Sequence, residues 1–515
     1  MKWKSIKPFS SIFLVEGHSS PHCVFPISIA ILSLFFTFFI HEYNIHALRI
    51  EAPSKLEPIY DWVKTADDAA YLRPAENYYH KAVWRDNNAG FQSYFLRTPG
   101  YGLFRYSLMR LMGFEQSYHY FKYIQLLLFS FSVLLLYYIA LYVGLPPLYA
   151  FIIEAVYGLS PFAIGFLYYS ITESITPAWV IIYVFLLWRG YRFQKPIYFM
   201  LAALAMAYIG LTRPVLLLWA GALPLAIWQS QRALSNARKS FLLVLCTVII
   251  LSPLAMWLYR SSTLAHRYVG LYPIYFIQSN SQFRPTHAAI WDFQKSFGKT
   301  GAAFHAEMVP LWQATIHGDT SAIHIDSILL ACPPFVQQAI GPQRLRNSYL
   351  LYRQSIAQQR HDYPLGTAMP DTLSAIEQQV ISDFNNYTYL IYSQHWFWCH
   401  VVVPIQLFRS LSFHSNLSLH IFQHTLRGRW WVEAMRYFFL LLHLLCCLSF
   451  IGVIFLSKEK LIQWLFGFTV GAYIFYLCYF FRGLEERYTL PILPLMMVGL
   501  AICINQLLAY QKPSS

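Results

Sequence analysis

Charge is what this chain has least of. Asp, Glu, Lys and Arg make up only 12% of its 515 residues, against about 25% in soluble globular proteins. With 57% hydrophobic residues, 18% aromatic residues and a mean hydropathy of +0.40, that scarcity excludes an ordinary soluble enzyme, a disordered chain and a fibrous repeat. A polytopic membrane protein remains. Acidic residues are the scarcer sign, 24 against 38 Lys and Arg, leaving a net charge of +14. In a soluble chain such a balance would suggest nucleic acid. Here basic residues anchoring cytoplasmic loops, together with anionic lipid substrates, explain it, and no nucleic-acid partner is expected. The eight cysteines lack C-x-x-C spacing, so neither a zinc site nor a disulfide framework is indicated. Cys332 and Cys399 fall in an expected extracytoplasmic segment, where pairing stays open.

What the chain has in abundance is apolar runs. A spanning helix needs roughly 20 mostly apolar residues. Ten runs qualify: about 26–42, 120–143, 148–168, 174–189, 196–211, 214–230, 240–259, 434–456, 461–481 and 488–510. The first is expected to stay as an anchor, because His41 and Glu42 follow it rather than a small-residue cleavage site. Lys2, Lys4 and Lys7, then Arg189, Arg192 and Lys195, then Arg232, Arg238 and Lys239, then Lys458 and Lys460 all fall on one side of such a layout. The positive-inside bias makes that side cytoplasmic, together with both termini, the last carrying Lys512. The expected fold is therefore an all-α polytopic membrane protein of about ten transmembrane helices. Residues 1–260 form a seven-helix region with an external first loop at 43–119. Residues 261–433 form a mostly helical extracytoplasmic insert, and 434–515 a three-helix region. Within the insert, Leu345 to Gln359 and Leu373 to Phe384 read as helices. Val401 to Phe408 and Leu417 to Ile421 are too short to span and read as interfacial or re-entrant.

The first loop is the richest in chemistry. Asp67 and Asp68 stand side by side, followed by Tyr71, Ala75 and Asn77, then Arg97-Thr98-Pro99-Gly100-Tyr101. A carboxylate beside the membrane can deprotonate a hydroxyl or stabilise a positive sugar centre. The same residues also suit a helix N-terminus, where Thr65, Asp67 and Asp68 would cap the helix and favour its dipole. Four further groups sit at expected external helix ends: Thr172-Glu173-Ser174, Thr212-Arg213-Pro214, Trp257 with Arg260, and Arg482-Gly-Leu-Glu485-Glu486-Arg487-Tyr488. Any one arginine there could simply snorkel to headgroups. Convergence of Arg213, Arg260, Arg482 and Arg487 with carboxylates on one face suits a phosphate instead.

These motifs, in this order, resemble the C-type integral-membrane glycosyltransferases, the superfamily of protein O-mannosyltransferases and aminoarabinose transferases that use polyprenyl-phosphate sugars. Asp67…Tyr71…Ala75…Asn77 resembles the family's first loop, and Arg97-Thr98-Pro99-Gly100-Tyr101-Gly102 resembles its Arg-Pro-Pro-Gly-Tyr-Pro motif with two prolines replaced. Thr172-Glu173, Arg213-Pro214, Trp257-Leu-Tyr-Arg260-Ser261 and Glu486-Arg487-Tyr488…Pro491…Pro494 resemble later motifs, the third of them with its Asn lost. The resemblance does not reach 265–430. It implies an inverting transfer of a hexosyl or pentosyl group, at the outer face of a bacterial inner membrane, from a polyprenyl-phosphate donor to an acceptor left open. Asp67 would be the general base and Asp68 its fallback. Arg213, Arg260, Arg487 and Arg482 would hold the donor phosphate, and Tyr71, Arg97, Tyr101, Glu173 and Glu486 would position substrate. No cofactor is implied: a divalent metal is possible but not indicated for a lipid monophosphate leaving group, and no Gly-rich nucleotide loop occurs in the chain.

Other features are weaker. The 18 histidines show no ligand-like clustering with carboxylates, although His420 and His424 could share a helix face. Glu154 lies inside the third expected span, where a nearby Tyr or Arg would have to satisfy it. A secondary transporter remains an alternative, against which stand the absence of repeats between the halves and charges at one face rather than midplane. A lipid-linked glycan polymerase or ligase and a non-catalytic scaffold are the others.

Overall fold

The computed structural model describes residues 24–510 apart from 58–61, 66, 89–90, 94–96, 231–234, 266–267, 269, 272–283, 320, 364–368, 371, 416 and 484; side chains at 24, 86–88, 91–93, 265, 486 and 510 also fall outside the description. Lys2, Lys4, Lys7, Arg232 and Lys512, which entered the orientation argument, lie outside the described residues. So does Asn416.

The chain is an all-α membrane protein, and its helices lie where the apolar runs place them. Among the described residues, seven are long and apolar enough to cross a membrane: Phe25–Glu51, Phe114–Tyr142, Pro147–Gly165, Asn236–Leu264, Trp430–Leu456, Lys460–Phe481 and Arg487–Ala509. Helix is the form such runs must take, since it closes every backbone hydrogen bond within the segment. The other three expected runs are helical but do not meet that standard. Thr176–Phe193 is interrupted by Arg189 and Arg192, and Pro196–Thr212 and Pro214–Gln229 are shorter apolar helices. Prolines start or break many of these elements, as at Pro147, Pro161, Pro177, Pro196 and Pro214, where the missing N–H falls among donors that have no partner inside the helix.

One continuous core fills the bundle, running from Val133 and Leu136 through Val184, Met206 and Trp219 to Val470 and Met496. Its polar cross-links are few and long-range in sequence, such as Trp219 Nε1 to the Leu465 carbonyl at 3.2 Å. Glu154 is buried here, and neither of its oxygens has a hydrogen-bond partner among the described residues. The neighbouring Tyr or Arg expected to satisfy it does not do so.

The insert has a core of its own, built on Ile290, Phe293, Met308, Leu345, Tyr352, Phe384 and Tyr387. The two helices expected within it are present and longer than foreseen, at Pro342–Asp362 and Ala375–Gln394. The second is started by a capping box in which Ser374 and Glu377 bond reciprocally. The Val401 to Phe408 run belongs to a π-turn at Trp398–Val402 that continues as the helix Val403–Ser412. That helix buries Val403, Leu407 and Leu411 and exposes Ile405. Cys332 and Cys399 are both free and buried, so the open pairing is not made; the Cys399 thiol instead points at the Ile391 carbonyl, 3.7 Å away.

The first loop folds as two helices, Asp68–Lys81 and Gly100–Met112, with a small hairpin pairing 86–88 with 91–93 between them. A third core, of Trp62, Leu72, Tyr101, Leu108 and Phe121, fixes the loop on the bundle.

Candidate active site

The local sequence turns the two adjacent aspartates in different directions. Thr65 donates to Asp68 from its backbone N–H at 2.8 Å and from its hydroxyl at 2.5 Å. This ties Asp68 into the turn before the helix Asp68–Lys81; the expected capping is not made, since the Asp67 side chain at the cap position accepts no helix N–H. Burial pushes the Asp68 carboxyl up to about 6, and the Thr65 hydrogen bonds only partly offset it. Asp67, at the cap position itself, faces the other way. Its Oδ1 accepts from Arg97 at 2.7 Å and its Oδ2 from Arg487 at 3.1 Å.

Arg97 reaches Asp67 because the motif after it is clamped. A Cβ on Gly100 would stand 2.3 Å from Thr212 Oγ1 and 2.5 Å from the Thr212 nitrogen. Only glycine allows the helix Gly100–Met112 to begin there. The Tyr208 hydroxyl donates to the Gly100 carbonyl at 3.0 Å. Two motifs far apart in the chain, Arg97–Tyr101 and Thr212–Pro214, are thereby pressed together. The Arg97 guanidinium also lies over the Tyr71 ring, 5.3 Å from its centre. Burial raises the Tyr71 phenol above its ordinary range, which keeps it a neutral phenol.

Glu173 sits in the short turn Thr172–Ser174 and is almost completely buried. Its Oε1 lies 2.8 Å from Arg213 Nη1 and 3.5 Å from Arg487 Nε, while Thr172 donates to its other oxygen at 2.9 Å. Burial alone would raise this carboxyl, but Arg213 first and then Arg487 outweigh it, and the net shift is downward. Arg213 closes the Pro196–Thr212 helix and lies over the Tyr488 ring, 5.2 Å from its centre. Arg487 also lies 2.6 Å from Glu485. Tyr101 is remote from this chemistry. Its buried hydroxyl donates to Gln125 at 2.9 Å, and Gln125 accepts from Ser174 at 2.7 Å, so Tyr101 braces the turn carrying Glu173.

The structure thus gathers Asp67, Tyr71, Arg97, Glu173, Arg213 and Arg487, contributed by segments from residue 67 to 487. Arg260 stands to one side: it donates to the Trp84 carbonyl at 2.7 Å and lies over Trp257. Arg482 must be corrected. It is 2% exposed, and its guanidinium donates to the carbonyls of Tyr479 at 2.8 Å, Lys295 at 3.1 Å, Ser296 at 3.2 Å and Cys399 at 2.8 Å. It fastens the insert to the end of the Lys460–Phe481 helix, with every guanidinium nitrogen already bonded to a backbone carbonyl. The side chain of Glu486 lies outside the described residues. Glu485 was named in its motif but given no role by sequence reasoning; its place two residues before Arg487 was the available signal, and the structure sets it in extended backbone.

Among the described residues no group of three or more His, Cys, Asp and Glu could hold a metal ion. His420 instead lies 2.9 Å from Glu51, joining the insert to the first helix.

No protein-family model matches this chain, and no curated protein matches it. What can be said of its chemistry comes from its own residues.

Proposed function

We propose that this protein is a glycosyltransferase that moves a sugar from a polyprenyl-phosphate donor to an acceptor at the extracytoplasmic face of a bacterial inner membrane. Ten spans with both termini cytoplasmic would bring the Asp67 cluster to that face. The observation that carries the reading is the clamp on Asp67 by Arg97 and Arg487, with Glu173 and Arg213 alongside. It joins a half-exposed carboxylate, able to meet a hydroxyl, to guanidiniums able to meet a phosphate.

In this reading the acceptor oxygen attacks the anomeric carbon while the bond from that carbon to the phosphate oxygen breaks. The acceptor proton passes to Asp67, and the electron pair leaves with the lipid phosphate. Arg487 and Arg213 neutralise the charge that grows on the phosphate. Arg97, leaning on Tyr71, orients the base. Glu173 keeps Arg213 and Arg487 apart at a fixed spacing, and Arg260 anchors the first loop through the Trp84 carbonyl.

The test is sugar release from a radiolabelled polyprenyl-phosphate hexose by the purified full chain with native membrane extract. Release that vanishes in Asp67→Asn and persists in Asp68→Asn, with both variants folded, supports the reading and settles which aspartate is the base. Equal release by wild type and both variants would remove catalysis from this loop.

A further inference from the structure

Among the described residues, three ion-paired carboxylates of the site, Asp67, Glu173 and Glu485, meet three guanidiniums, Arg97, Arg213 and Arg487. A phosphate therefore does not enter an open cationic pocket. It must compete with a carboxylate already in place, and the three carboxylates are not equally held.

Asp67 is shared between Arg97 and Arg487. Glu173 is buried and shared among Arg213, Arg487 and Thr172. Among the described residues, Glu485 is held by Arg487 at 2.6 Å and by the Tyr488 hydroxyl at 3.1 Å. Its side chain is 44% exposed, against 27% for Asp67 and 4% for Glu173. It stands on extended backbone outside any helix, two residues after Gly483. Of the three carboxylates on Arg487 it makes the closest approach and is the most readily removed.

We propose that Glu485 is a displaceable counter-ion, occupying on Arg487 the place that the lipid phosphate takes. The inference rests on the donor-phosphate reading above. A phosphate oxygen arriving at Arg487 Nε replaces the Glu485 carboxylate, which swings into water. When the sugar has left and the lipid monophosphate remains, the returning carboxylate competes for Arg487 and speeds release of the spent lipid. Glu485 would thus set the balance between holding the donor and letting the product go, without touching the reacting atoms.

Binding of a short-chain polyprenyl monophosphate to the purified full chain in detergent tests this, with wild type, Glu485→Gln, Glu485→Ala and Arg487→Gln compared and unfolding temperatures recorded. A carboxylate whose own end of the pair is exposed is a weak competitor, so both Glu485 variants should bind about three- to tenfold tighter than wild type, while Arg487→Gln loses most binding. Glu485 variants that bind no tighter, with Arg487→Gln still defective, would overturn the counter-ion role and leave the phosphate site standing. Arg487→Gln binding as well as wild type would overturn the phosphate site and the counter-ion role with it. Phosphatidic acid serves as the headgroup control. If it bound equally and gained equally, the exchange would belong to membrane phospholipid and the donor assignment would fall.

Discussion

Two buried clusters of arginine and carboxylate lie in this molecule, and they are built differently. In the insert, Arg284 and Glu377 are each 2% exposed and meet in a two-pronged pair, Nε to Oε1 at 2.7 Å and Nη2 to Oε2 at 2.9 Å. Arg284 also donates to the carbonyls of Pro370 and Thr372, and Glu377 accepts from Gln359 and from the Ser374 N–H. Both ionic groups are fully engaged. In the Asp67 cluster the same residue types approach closely but incompletely. Arg213 Nη1 and Arg487 Nε are buried beside carboxylates yet make no aligned hydrogen bond. A saturated buried pair cannot lose one partner without leaving an uncompensated charge; an unsaturated one keeps capacity for a ligand. Arg482, spent on backbone carbonyls from the insert and its own helix, belongs to the first kind despite its place in a site-like motif.

The sharpest way to break this comparison is to remove one partner from each cluster. Asp67→Asn should lower sugar transfer by roughly 10²- to 10⁴-fold, the usual worth of a positioned base, with little change in unfolding temperature. Arg284→Ala should do the reverse, costing about 3–5 kcal/mol by leaving Glu377 buried and alone. Transfer assays and thermal unfolding in detergent read both; a collapsed Asp67→Asn or an unmoved Arg284→Ala would erase the distinction. Arg482→Ala comes next. Losing several charge-assisted bonds should cost about 2–3 kcal/mol and open the 285–412 region to limited proteolysis without weakening binding of lipid phosphate.

The smallest effect concerns Asp68. Burial raises its carboxyl from the ordinary 3.8 to about 6, so the folded chain holds that proton more tightly than the unfolded one. This favours folding fully below about pH 4, and the advantage is lost as pH rises from about 4 through about 6. Asp68→Asn should remove this part of the pH dependence, a difference of about 1–2 °C in unfolding temperature between pH 4.5 and 7. A variant whose profile tracks wild type would show that Asp68 is not the group responsible.

Much of the helical layout was legible from apolar runs, and the motif order pointed correctly at several residues that meet. Arg97, Glu173, Arg213 and Arg487 could be picked out because arginine and glutamate are conspicuous in a chain this poor in charge. The choice among arginines was not legible. Arg482 and Arg487 are five residues apart in one motif, but a left-handed turn at Arg482, φ +57°, closes the helix and sends its side chain to the insert. Nor could spacing tell Asp67 from Asp68, since the decision lies in the Thr65 hydrogen bonds. Thr176–Phe193 shows the limit for spans: it is helical as expected, yet with Arg189 and Arg192 near its end it does not join the seven apolar spans.

Sequence by itself determined the helices of this protein, because apolar segments must satisfy their backbone internally and each does so with its near neighbours alone. Tertiary structure alone decided which charges meet. Asp67 and Arg487 are separated by 420 residues, and nothing local brings one to the other. They are joined by the packing of the first loop against the Thr212–Pro214 corner and the start of the last helix. The strength and completeness of a pairing depend on burial and alignment, and those exist only once the chain has folded.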